Sequence, residues 1–242
     1  MLEAAGWGLV GGSALVVGAL VGLRFDFALR WVGLVMGFGA GVLISAVAFD
    51  LTHESFERGG HDAVAAGLAG GALVYFGGDW VVDNLGGKHR KRSGGQQAGG
   101  NATALLLGAV LDGIPESFAI GVSLLEGSGV GVAFVAAVFI SNVPEALSSA
   151  TGMRRAGSSA LHVLSIWAAV TLVSGLAAAI GFALMDGVSD DVIAFIQAFA
   201  AGAILTMLAD TMMPEAFEES GAVVGLVTVL GFTLAFFLTT LE

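Results

Sequence analysis

Apolar runs of about twenty residues follow one another along this chain, and that succession constrains the fold more than any other feature. Eight can be drawn, roughly at 5–23, 31–52, 63–84, 103–125, 129–151, 160–185, 192–214 and 221–241. Each is near the length that crosses a bilayer as a helix, where every backbone polar group must find its partner inside the segment. The expectation is an all-α, polytopic membrane protein with eight transmembrane helices. A hydrophobic content of 56% and a mean hydropathy of +0.90 agree with it. The 38 glycines suit close helix approach, with Gly33/Gly37, Gly37/Gly41, Gly127/Gly131 and Gly221/Gly225 as candidate contact faces. The first run lacks the basic start of a cleavable signal peptide: it carries Glu3, and Arg24 comes after it. The chain has no cysteine and thus no thiolate ligand, and its net charge of −11 excludes a nucleic-acid binder.

Lysine and arginine set the expected orientation. Alternate loops carry Arg24 and Arg30, then Lys88, Arg90, Lys91 and Arg92, then Arg154 and Arg155, while the opposite loops carry only Arg58. The positive-inside rule places the first group in the cytoplasm and both termini outside, at the plasma membrane. The 86–101 loop, rich in glycine and basic residues, reads as flexible, with His89 solvated.

Two of the runs carry a carboxylate at membrane depth beside a proline: Leu111-Asp112-Gly113-Ile114-Pro115-Glu116 and Ile140-Ser141-Asn142-Val143-Pro144-Glu145. Each proline removes a backbone donor and crowds the carbonyl four residues back, at Leu111 and Ile140, so a kink or break is expected there. Ionisable groups at such depth are costly and mark functional sites. Helical spacing puts Asp112 and Glu116 on one face, and Ser141, Asn142 and Glu145 on another. Together they form an oxygen-rich cation site, with Asp112, Glu116, Asn142 and Glu145 as central ligands and Asp50 and Ser141 as additions. Oxygen donors suit hard divalent ions such as manganese or ferrous iron, without excluding zinc. The bland alternative is a pair of protonated carboxyls hydrogen-bonding across helices.

Residues 40–57 echo residues 201–218 at one constant offset. Ala40-Gly41 aligns with Ala201-Gly202, Ser45 with Thr206, Glu54 with Glu215, and Phe56-Glu57 with Phe217-Glu218. The second and seventh spans run in opposite senses, so the repeat is inverted and the expected architecture is a 3+2+3 bundle, a transporter signature. Asp50, His53, Glu54, Glu57, His61 and Asp62 cluster at the outer end of the second span, either as a cation-collecting vestibule or as a solvated loop, with Asp50 and His53 facing the pore together.

With these residues the chain resembles the ZIP family of divalent-metal transporters over nearly its whole length. That family's fourth span typically reads His-Asn-x-Pro-Glu-Gly and its fifth carries a polar-x-x-Pro-Glu pattern, matched here by Pro115-Glu116 and Pro144-Glu145. Met213-Pro214-Glu215-Ala216 is similar to the seventh-span segment. The resemblance implies that Glu116 and Glu145 line the transport site and that the cargo is a zinc-, manganese- or iron-class ion carried into the cytoplasm, with no resident cofactor. Departures are specific: Asp112 stands for the histidine, Gly113 for the asparagine, Ser117 for the glycine, and Ala178-Ala179 where Glu-Pro would stand. They imply one metal per site rather than two.

Two other classes stay open. A ZIP-like sensor or scaffold that has lost transport would carry the same departures, and a metal-flux assay separates it. An intramembrane hydrolase has only the paired carboxylates in its favour. The chain is not expected to be an enzyme. Its partners are the metal ions and the lipid bilayer, with a homodimer left open.

Overall fold

The computed structural model describes residues 1–96, 102–126 and 131–240. Apolar periodicity without strand-like alternation gives helices throughout: α1 Leu2–Arg24, α2 Leu29–Ala46, α3 Glu54–Val82, α4 Ala102–Ser123, α5 Val132–Arg155, α6 Ala160–Met185, α7 Asp190–Met207, α8 Met213–Ser220 and α9 Val223–Thr239. Among the described residues, six helical stretches are long and apolar enough to cross a membrane, and α9 is a shorter apolar helix. One of the six runs unbroken by hydrogen bonding from Leu29 to Gly87, with Gly60 in a non-helical conformation inside it. The protein is a multi-pass, all-α membrane protein.

Polarity is distributed as the bilayer demands. Leu73, Phe76, Trp80, Leu161, Leu172, Leu226 and Phe237 lie exposed, whereas Asp79, Asp112, Glu116, Glu145 and Gln197 are buried. Apolar side chains can face lipid at no cost, while a charge there is expensive unless it points into the bundle. α1 packs on α5 and α6, α2 on α9, α5 and α8, α3 on α7, and α4 on α6. The α2–α9 contact is close because Gly37 and Gly41 face it, and a Cβ at Gly41 would collide with the Thr228 carbonyl, while Gly33 faces α8. Gly202 does the same service for α7 against α3, where a Cβ would meet the Leu68 backbone. The expected Gly221/Gly225 face does not pack, since a Cβ at either would meet nothing within 4 Å. Gly127 lies outside the described residues.

The proline positions also differ from expectation. α4 and α5 continue as helices across Pro115 and Pro144. Departures from α geometry fall instead at the ends of α2, α3 and α7, where Val47–His53, Asp83–Gly87 and Leu208–Met212 are π-helical; the first and last are related by the sequence echo. These two stretches begin at aligned positions of the sequence echo. Farther on at the same offset, Gly60 (φ 67°, ψ −164°) corresponds to Gly221 (φ 67°, ψ −158°). Only glycine adopts that backbone region freely, so the kink at Gly60 and the helix end at Gly221 both favour it.

Candidate cation site

α4 and α5 supply the carboxylates. Asp112, Glu116 and Glu145 are all buried, at 1%, 1% and 4% exposure. Glu116 lies within electrostatic range of Glu145 and Asp112, and its Oε1 has no hydrogen-bond partner among the described residues. Ser141 is buried and donates to the Val138 carbonyl of its own helix at 2.9 Å. Asn142 donates from Nδ2 to the Gly11 carbonyl of α1 at 3.2 Å. Three of the predicted residues are thus drawn together, while Ser141 and Asn142 spend a donor elsewhere.

What holds the carboxylates is a pair of cations from the loop after α3. Arg90 donates from Nε to Asp112 Oδ2 at 3.0 Å and from Nη2 to Asp112 Oδ1 at 3.1 Å, a two-point contact suited to guanidinium. Arg90 also pairs with Asp79, and its Nη1 lies 3.6 Å from Asp83. The Tyr75 hydroxyl donates to Asp112 and accepts from Arg90 Nη2 at 3.1 Å. Lys91 Nζ sits 3.3 Å from Asp112 Oδ2 and 3.2 Å from Glu145 Oε1, and so bridges α4 and α5. Arg90 and Lys91 are each 4% exposed. Where a flexible loop is expected, Arg90, Lys91 and Ser93 are buried and Arg92 half-buried, so this part forms a plug, while His89 is exposed and 97–101 lie outside the described residues. The reason is electrostatic: buried carboxylates without a metal need counter-charges, and the nearest cations are on this loop.

A second anchor follows directly. Ser93 donates from its N–H and its hydroxyl to Glu215 Oε1, at 2.8 and 2.9 Å. Arg92 lies 3.2 Å from Glu215 Oε2 and pairs with Glu218. Tyr75, Asp79, Arg90, Lys91 and Ser93 were not singled out as site residues from the sequence. The available signal was a surplus of acidic residues in spans beside a single dense basic loop.

Asp50 is remote from this constellation. It lines a cavity at the other end of the bundle with Glu54, Ser123, Gly131, Phe134 and Thr239. His53 lines a different cavity with Phe49, Thr52 and Phe56, and lies 3.4 Å from Glu57. The expectation that Asp50 and His53 share a face fails because the stretch is π-helical, so residues three apart no longer fall in register. Among the described residues, no three His, Asp or Glu side chains are gathered so as to hold one metal ion. At the centre of α4 and α5 the position between carboxylates is taken by the Lys91 ammonium.

Fold and site together define a multi-pass membrane protein with a cluster of buried carboxylates in its bundle. No family model matches the chain. A protein of Arabidopsis thaliana named "Putative zinc transporter" is 29% identical over 204 residues, covering 79% of this chain and 31% of that protein. The chain is distantly homologous to it and spans about a third of its length, consistent with the ZIP resemblance.

Proposed function

We infer that the protein carries a divalent metal ion across the membrane through a site between α4 and α5. The observation that carries this is the approach of Asp112 and Glu145 from two helices, close enough for one ammonium nitrogen to lie 3.3 and 3.2 Å from them. Two buried carboxylates spaced for one cation, with a third carboxylate oxygen unpartnered beside them at Glu116, form a centre that a divalent ion can enter. The distant zinc-transporter homologue supports metal as cargo.

The chain crosses the membrane eight times in this reading, counting one pass on each side of Gly60 and one for α9. Support for an inverted 3+2+3 repeat comes from the matched π-helical stretches, from Gly60 and Gly221, and from the equivalent pairings of α2 with α9 and α7 with α3. The lysine- and arginine-rich end is assigned to the cytoplasm, and transport runs toward it.

The test is uptake of zinc, manganese and ferrous iron by proteoliposomes holding the purified protein. Glu116→Ala and Glu145→Ala should each lower uptake of every metal by at least about tenfold, since even outer partners of metal ligands cost 10–100-fold. Wild-type vesicles that carry none of the three metals would leave the sensor or scaffold reading in its place.

A further inference from the structure

The cations that meet the α4–α5 carboxylates fill a space that the helices have left for them. Arg90 passes Gly108 of α4, where a Cβ would collide with its Cδ. The loop backbone is held on both sides of Lys91. Ser148 Oγ donates to the Lys91 carbonyl at 2.7 Å, and Arg155 Nη1 donates to the Ser93 carbonyl at 3.2 Å. Ser93 in turn is fastened to Glu215 through two donors. Docking is therefore specified by shape and by backbone contacts, beyond a general attraction of charges.

Lys91 is held differently from its neighbours. Its ammonium is at ion-pair distance from both Asp112 and Glu145, with no guanidinium fork to fix it to either. It acts as a point charge between two carboxylates, the least directional kind of contact and the easiest for another cation to replace. Arg90 and Lys91 together carry two positive charges, which is the charge of one divalent ion. Exchange of the loop cations for the metal leaves the summed charge around Asp112 and Glu145 unchanged, so those two carboxylates stay compensated in both states, while Asp79 and Glu215 give up their loop partners.

We propose that Lys91, seconded by Arg90, is a tethered competitor for the metal: the docked loop and a bound divalent ion exclude each other at Asp112 and Glu145. A metal ion arriving at the centre expels the loop, and the end of the bundle that the loop closes opens. When the ion leaves, the loop returns and neutralises the empty site. This deepens the transport reading above and rests on it.

The chain has no cysteine, so Ser93→Cys gives one thiol at a position fully buried in the docked loop. Its reaction with a maleimide is followed on the full-length protein in detergent, with and without zinc or manganese chloride, and metal binding is measured on the same samples. Competition predicts that saturating metal speeds labelling by about fivefold or more, the lower end of ordinary coupling between two sites. It predicts that Lys91→Gln tightens metal binding by about tenfold or more. Gly108→Val, which bars Arg90 while keeping every carboxylate, should shift affinity the same way and keep the test intact if Lys91→Gln fails to fold. Metal binding with labelling unchanged and affinity unchanged in both variants overturns the competition and leaves transport standing. If neither the wild type nor any variant binds or carries a metal, both readings fall.

Discussion

At the scale of single residues, Asp112 carries most of the meaning. It accepts from Arg90 and Tyr75 and lies at ion-pair distance from Lys91, and it stands where the resembled family places a histidine. Asp112→His exchanges an oxygen donor for an imidazole nitrogen, which favours zinc over manganese. The same change removes the carboxylate that Arg90 and Lys91 share, so the loop is held less firmly. The expected outcome is a zinc-to-manganese uptake ratio raised by about tenfold, normalised to protein in the vesicles, if one ligand exchange is worth about 1.4 kcal/mol. An unchanged ratio with flux intact would remove Asp112 from the metal's immediate surroundings. Asp112, Glu116 and Glu145 were legible in the sequence because a carboxylate inside a span has no cheap explanation. Arg90 and Lys91 were not, because basic residues in a loop normally mean solvent, and nothing local in KHRKR distinguishes a plug from a tail.

At the scale of elements, the two halves of the sequence echo are built from the same irregular parts. α2 passes into a π-helical stretch at Val47 and α7 at the aligned Leu208, and each is followed by a glycine outside helical geometry. Gly60 and Gly221 occupy a backbone region that a side chain makes costly, by about 1–3 kcal/mol. A Cβ would meet no neighbour at either place, so the penalty of Gly60→Ala or Gly221→Ala is one of backbone conformation alone. Each should lower the thermal midpoint in detergent by several degrees. Gly225→Ala, in helical conformation with equal open space, serves as the control and should not lower it. A Gly60→Ala protein as stable as the control would show that this conformation is not fixed. The echo itself was legible, because matched apolar and acidic residues repeat at one offset. The π-helical stretches were not, since a widened turn follows from tertiary packing and has no residue signature; that is also why Asp50 and His53 were misplaced relative to each other. The prolines drew attention to α4 and α5, where neighbouring helices accommodate them without a break.

At the scale of the whole molecule, the charge asymmetry counted in the sequence turns out to be structural as well as topological. Five basic residues of the richer side, Arg90, Lys91, Arg92, Arg154 and Arg155, are paired with carboxylates, so they cannot serve as a sorting signal only. Arg154 and Arg155 reach Asp26, Arg155 reaches Ser93, and Ser220 donates to the Arg30 carbonyl at 2.6 Å. These contacts gather residues from 26–30, 90–93, 154–155 and 215–220 at one end of the bundle. At the other, Arg58 lies 3.9 Å from Asp190. The proposed path of eight crossings would put these two groups on opposite faces of the membrane, and a changed number of crossings would divide one of them. Single cysteines at Gly157 and Val188 test this on a background free of cysteine. Both sit in turns between helices, the first just past Arg155 and the second just before Asp190. In intact cells a membrane-impermeant maleimide should label position 188 only, and position 157 should react only after the membrane is opened. In the proposed path the positive-inside bias assigns which face is which, and the number of crossings sets whether the two positions differ. Labelling of both positions from outside would overturn the eight-span path, and labelling of 157 alone would keep the path and reverse its direction.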